Sequence, residues 1–302
     1  MAALCLLACV PARLTLHELS SSVPCARNKT IHLIRHAEGW HNVDELEAEA
    51  AELWKTHPQG SLRAEYGIAW MLMKEVSGDK YLDPLLTPKG REQAYALRTK
   101  LRKPWVDHAF VVDAIALSPM RRAIETALLG LPQLEAAATA VRLDDPRAGH
   151  VTAAAPELFA SDLLRERCAH FMPDSRLTRT ELEQEYSALG GNVTIDFSQI
   201  SDADRLFIDG KERNEPEIGS QLLAERAGEA IKWLMSLPAH QHSVAVVSHK
   251  HFLGALTSLG ATTGVTQRPF ENAEMRTLLL CEHQEPSKIT ESKVKSAVKE
   301  EV

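Results

Sequence analysis

A basic excess, cysteine motifs of CxxC or zinc-knuckle spacing and long apolar runs are all missing from this 302-residue chain, and each absence narrows its function. The formal charge is −7 and the isoelectric point near 6.0, so there is no broad cationic face for a nucleic acid. Any phosphate group this chain binds must meet cations gathered locally. The five cysteines (Cys5, Cys9, Cys25, Cys168, Cys281) are odd in number and scattered, without CxxC or zinc-knuckle spacing. They predict reduced thiols and no metal. No stretch is long and apolar enough to span a bilayer, so no membrane partner is expected. No internal repeat is visible. The opening ten residues are apolar, but no charged n-region precedes them and Arg13 follows early. The chain therefore reads as cytoplasmic, with a cleaved N-terminal targeting segment as the alternative. Nothing in it bears on oligomeric state.

What remains is an ordinary globular composition, 44% hydrophobic and 25% charged, long enough to bury a substantial core. Residues 1–28 show no period and predict a flexible leader. Residues 29–281 carry the folded domain, and 282–302, rich in Lys, Glu and Ser, predict a disordered tail. Strands are expected at 30–34, 110–117, 141–143, 243–247 and 275–281. Helices are expected at 43–54, near 63–75, at 88–102, from 120, at 217–237 and at 252–259. Thr87-Pro88 is a clear helix start, an N-cap followed by a proline whose missing donor costs nothing. Strands alternating with helices predict an α/β fold: a three-layer α/β/α sandwich, a mostly parallel central sheet, and a small cap or insertion before Tyr81. Residues 149–191 are the least regular segment.

Three of the expected strands end in polar residues. The run Thr30-Ile31-His32-Leu33-Ile34 gives way to Arg35-His36-Ala37-Glu38, with Asn42 just beyond. A strand from Phe110 ends at Ser118-Pro119-Met120-Arg121-Arg122-Ala123, and Val244-Ala245-Val246-Val247 ends at Ser248-His249. Open α/β sheets place their ligand crevice at such strand ends. These three segments, in this order, resemble the motifs of the histidine phosphatase (phosphoglycerate mutase-like) superfamily. Leu164-Arg165-Glu166, then Pro173-Asp174-Ser175-Arg176 and Glu181 to Tyr186, resemble its plant and fungal phosphoglycerate mutase-like branch.

The resemblance implies a phosphoryl-transfer enzyme without cofactor. Such chemistry needs a nucleophile, cations for the phosphoryl oxygens and an acid for the leaving alkoxide. His36 is the implied nucleophile, although a lone histidine at a strand end more often makes a structural hydrogen bond. Arg35, Asn42 and Arg122 are the implied substrate-binding residues, and His249 the implied donor to the transferred group. Glu166 is the implied acid, with Glu157 as runner-up. Asp174 and Arg176 shape the substrate rim or form a plain salt bridge; Arg121 is salt-bridged or exposed, and His251 is a bystander. Lys250 stands where many members have glycine, and Pro173 where a cysteine is expected. The expected activity is metal-independent hydrolysis of a small phosphomonoester through a phosphohistidine. The alternatives are mutase-type transfer, or a non-catalytic phosphate-binding protein. A zinc site on His32, His36 and His41 is disfavoured, since His32 and His36 lie about 13 Å apart along a strand.

Overall fold

The computed structural model describes residues 14–19, 23–42, 82–102, 110–138, 156–167, 172–190, 193–204, 221–260 and 268–283. The helices expected at 43–54 and 63–75, the cap they would form, the strand at 141–143 and the tail past 283 lie outside these residues.

Seven strands and six α-helices are described: β1 (Leu14–Glu18), β2 (Arg27–Arg35), α1 (Pro88–Arg102), β3 (Ala114–Leu117), α2 (Arg121–Gly130), α3 (Glu135–Ala138), β4 (Glu157–Ala160), α4 (Arg179–Glu185), β5 (Ile195–Asp196), α5 (Gln221–Ser236), β6 (Ser243–Ser248), α6 (Lys250–Gly260) and β7 (Met275–Glu282). They build one sheet in the order β1-β7-β2-β6-β3-β4-β5. β2, β6, β3, β4 and β5 run parallel, while β7 is antiparallel to both β1 and β2.

Side-chain alternation divides the interior into two layers. Ile34, Ile115, Leu117, Ala245 and Val247 join the apolar cluster that holds Ala94 and Leu97 of α1 and Ala123 and Ala127 of α2. Their neighbours Ile31, Leu33, Ala114, Ala116, Val244 and Val246 join Ala227 and Ile231 of α5 and Phe252 and Leu256 of α6 on the other face. Helices thus cover both faces, and the expected three-layer α/β/α sandwich is what the chain forms.

The α1 start follows the sequence: the Thr87 hydroxyl accepts the Gly90 N–H at 2.9 Å. A Cβ on Gly90 would stand 2.0 Å from the Glu38 carbonyl oxygen, so this helix start packs directly on the loop after β2.

Several expectations need correction. Residues 14–18, inside the expected leader, form edge strand β1, because Leu14 and Leu16 bury themselves in the core layer beside Leu278 and Leu280. Glu282 belongs to β7 rather than to the tail. The segment read as irregular contains β4, whose Leu158-Phe159-Ala160 is buried beside β3. Cys25 and Cys281 are not free thiols but form a disulfide across 256 residues, which pins the lead-in to β2 onto β7. No described helix is long and apolar enough to cross a membrane.

Candidate active site

Parallel register delivers the site. Arg35 pairs with Ser248 and Leu117 with Val247, so β2, β6 and β3 end level with one another. The ladder continues one step past the strands: the His36 N–H donates to Ser248 O at 2.8 Å and the Ser118 N–H to Val247 O at 2.9 Å. β6 returns late in the chain to lie between β2 and β3, which places His249 between His36 and Ser118. The His36 and His249 ring centroids are 4.9 Å apart.

His36 is buried, and its Nδ1 lies 2.6 Å from the Ala37 carbonyl oxygen. A carbonyl only accepts, so Nδ1 carries the proton and the Nε2 lone pair is left for chemistry. Burial, then the charges of Arg122 and Arg35, hold the His36 pKa well below its ordinary value, and the Ala37 bond and Glu166 only partly oppose them. The ring is therefore neutral near pH 7.

His249 Nε2 is 2.7 Å from the Ser118 hydroxyl, which itself accepts the Met120 N–H at 3.4 Å. With Ser118 donating to Nε2, His249 presents Nδ1–H. That nitrogen is buried without a hydrogen-bond partner, as are Arg35 Nε, Arg122 Nε and His41 Nδ1. Buried polar atoms without partners are costly in a folded protein. Here four of them belong to residues gathered around one imidazole.

Each cation is held from behind. Arg35 donates through Nη1 to Phe270 O at 2.8 Å, and Arg122 through Nη1 to Pro173 O at 2.7 Å. α2 is tied to the loop after β2 through Thr126, whose hydroxyl accepts the Ala37 N–H at 3.0 Å. Asn42 Oδ1 accepts the Gly39 N–H at 3.2 Å, closing the turn that carries His41.

Glu166 sits at the start of α6. Its carboxylate accepts the backbone N–H groups of Arg167, His251 and Phe252, at 2.8, 3.3 and 3.1 Å, and faces His251 Nδ1 at 3.2 Å. Burial pushes this carboxyl up, but the His251 ring and these donors outweigh it and hold it at about 2. In the free protein Glu166 is a carboxylate. His251, read as a bystander, is its partner. Glu157 is no rival: it opens β4 at the opposite edge of the sheet, exposed and bonded to Gln241. Arg176 is a buried tie to Asp162, with Nε 3.0 Å from Oδ1, rather than part of a rim. Asp174 offers its backbone carbonyl to Arg165. Arg121 is ion-paired with Glu185 at 3.7 Å.

Two residues were not selected from the sequence. The His41 ring lies 5.4 Å from that of His36. Asp83 is fully buried in the left-handed region (φ 44°) and accepts the Arg121 N–H at 2.9 Å, fixing the start of α2. The sequence marks His41 only as a candidate zinc ligand, and Asp83 lies four residues before the Thr87 helix start without a signal of its own. His32 is elsewhere, bonded to Thr277 and Ser243.

Comparison with known proteins identifies the family. The family described as "Histidine phosphatase superfamily (branch 1)" matches residues 73–167, which include Arg122 and Glu166. A "Phosphoglycerate mutase-like protein" of Arabidopsis thaliana is 32% identical over 247 residues, covering 78% of this chain and 77% of the relative. The chain belongs to the histidine phosphatase superfamily, in its phosphoglycerate mutase-like branch. Solved structures similar to it include a putative alpha-ribazole-5'-P phosphatase from Escherichia coli, at 20% identity and TM-score 0.40 over 82% of this chain and 89% of that one. Another is a phosphoglycerate mutase from Bacillus anthracis, at 17% identity and TM-score 0.42 over 84% and 88%. The superfamily contains phosphatases and mutases alike, and the site geometry must supply the rest.

Proposed function

We propose that the protein is a phosphomonoesterase that hydrolyses small-molecule phosphomonoesters through a phosphohistidine on His36. The observation that carries this reading is the set of buried, unpaired nitrogens on Arg35, Arg122, His41 and His249 around His36. A phosphoryl group supplies the acceptor oxygens that the Arg35, Arg122 and His249 nitrogens lack, in a site where burial strengthens each charged hydrogen bond.

In this reading His36 Nε2 attacks phosphorus, the N–P bond forms and the bond to the leaving oxygen breaks. Arg35 and Arg122 hold the equatorial oxygens as charge shifts onto them, and His249 Nδ1–H donates to the same group. Glu166 gives the leaving alkoxide its proton, then takes one from the water that cleaves the N–P bond and restores His36. An ionised Glu166 in the free protein suits the second step. For the first, the dianionic phosphoryl group brought beside it raises its pKa by like-charge repulsion, so a proton is taken up as substrate binds. These side chains supply every step of the reaction, and none of the steps calls for a metal. Asn42 orients the turn that seats His41 against the substrate.

Rapid-quench labelling tests the nucleophile: acid-labile, base-stable phosphate on wild type and none on His36→Ala is the expected outcome. An unlabelled wild type that turns over a panel of phosphomonoesters overturns it. Incubation with phosphoglycerate separates hydrolysis from mutase-type transfer, by released phosphate against isomerised product. Turnover unchanged by a chelator is expected.

A further inference from the structure

At the other end of β2 the sheet gathers a second group of chemistry-bearing side chains. β1 and β7 pair antiparallel with Thr15 opposite Cys281, and Asn28 of β2 lies opposite Cys281 on its other side. Alternation puts Leu14, Leu16, Leu278 and Leu280 into the core, and sends Thr15, His17, Cys281 and His283 to the opposite face. Ligand atoms of His17, Cys281 and His283 all lie within 4.8 Å of one another. The Thr15 hydroxyl oxygen sits between the two imidazoles, 2.7 Å from His17 Nε2 and 2.6 Å from His283 Nε2. The same Cys281 sulfur is bonded to Cys25. None of these residues serves the phosphate site: from Asn28 to His36 is eight residues of extended chain, roughly 26 Å.

We propose that reduction of the Cys25–Cys281 disulfide opens a binding site for a zinc-class divalent cation, with His17, Cys281, His283 and the freed Cys25 as ligands. Two imidazoles and two thiolates are the donor set that tetrahedral Zn²⁺ takes in structural sites. Bonds of about 2.0–2.1 Å to nitrogen and 2.3 Å to sulfur put neighbouring donors about 3.3–3.8 Å apart. The cluster therefore needs to close by about an ångström, with the Thr15 hydroxyl moving from between the rings. Strand pairing fixes His17 and Cys281 before any metal arrives, and half-buried His283, one residue past β7, leaves a way in.

The two states exclude each other, because a sulfur in a disulfide carries no thiolate charge. A dithiol reductant opens the site: its two S–H bonds give way to an S–S bond, while the Cys25–Cys281 bond gives way to two S–H groups. The cation then takes both sulfurs as thiolates and two protons leave to solvent. In either state the lead-in to β2 is fastened to β7, by a covalent bond in one and by a metal in the other.

Cobalt is the probe. The full chain, reduced by a dithiol, freed of it without air and titrated with Co²⁺, is expected to take up one equivalent. Tetrahedral d–d absorption and a thiolate-to-cobalt charge-transfer band should appear, and added Zn²⁺ should displace both. The oxidised chain is expected to show neither. Cys281→Ser should weaken the charge-transfer band to what the Cys25 thiolate alone can give and His283→Ala should lower the tetrahedral d–d intensity, while His36→Ala should keep both, which separates this site from the active-site histidines. His283 lies past the end of β7, so its variant is a safe one for folding, and the oxidised-against-reduced comparison needs no variant. A reduced wild type without the charge-transfer band overturns the proposal. So does tetrahedral d–d intensity that is unchanged in His283→Ala, or equal binding by the oxidised chain.

Discussion

His32 and His36 stand four residues apart on the same strand run, both buried and both pushed toward the neutral form, yet their surroundings differ in one respect. Both nitrogens of His32 have partners, Nδ1 with the Thr277 hydroxyl at 3.0 Å and Nε2 with the Ser243 hydroxyl at 3.1 Å, and its ring meets Phe110 edge-on. His36 has one nitrogen bonded, and the rings and guanidiniums beside it carry nitrogens that are themselves short of partners. A satisfied imidazole holds a sheet together. An imidazole left with a lone pair among orphaned cations does chemistry.

The sharpest way to break this contrast is to truncate each ring in turn. His36→Ala is expected to lower turnover by about 10⁴-fold or more while the chain stays folded, since the nucleophile itself is gone. His32→Ala should keep turnover within a few-fold and lose stability instead, by about 1–3 kcal/mol, as a buried ring leaves the core and two half-buried hydroxyls lose their partner. Steady-state kinetics and denaturant unfolding on the two variants check both halves. Equal loss of turnover in the two would erase the distinction.

Glu166 and Glu157 extend the comparison to carboxylates at opposite edges of the sheet. Glu166→Gln removes the proton donor and acceptor, and is expected to lower kcat by about 10²- to 10⁴-fold. Glu157→Gln, far from the strand ends that carry His36, should leave kcat unchanged. A smaller effect is expected at the cations: Arg122→Ala should cost about 10²- to 10³-fold, from two unit charges at about 4 Å interacting by roughly 4 kcal/mol at an effective dielectric near 20. Arg122→Lys should recover only part, because a point charge replaces the planar fork. Full activity in Arg122→Ala would remove the electrostatic basis of the mechanism.

The segments that made the site legible were local. Arg35-His36, Ser118 to Ala123 and Ser248-His249 each join an apolar run to a polar end, and parallel register then aligns them, so reading the strands was close to reading the site. What escaped was non-local or conditional. β1 was hidden because Leu14 and Leu16 become core residues only against β7, more than 260 residues away. β4 is four residues long, too short for its period to show. The Cys25–Cys281 pair has no spacing signature, since chain topology and not sequence distance brings the two sulfurs together. His41 joins the site through a tight turn at Gly39, where a Cβ would stand 2.8 Å from the His41 ring. Asp83 and His251 act by holding another residue's backbone or carboxylate, a role that leaves no pattern of its own.

The pH dependence of stability gives the mildest test of the same contrast. Burial holds His32 at about 4, against 6.5 for an exposed histidine, so above pH 6.5 both the folded and the unfolded ring are neutral and titration costs nothing. Between 6.5 and about 4 the unfolded ring takes up a proton and the folded one does not, and stability falls with pH through that window. A shift of this size corresponds to roughly 3 kcal/mol lost by pH 4 from this residue. His36, His41 and His249 shift in the same direction and add to the slope. A phosphate-mimicking anion in the active site gives those three an incentive to protonate that His32 never sees. Unfolding followed from pH 7 to 4.5 should therefore be less acid-sensitive with vanadate or tungstate present, while the absolute amount of slope removed by His32→Leu should be the same with the anion and without it. If the anion also abolished the His32 contribution, the two histidines would not be separate sites, and the division between scaffold and chemistry drawn along β2 would fail.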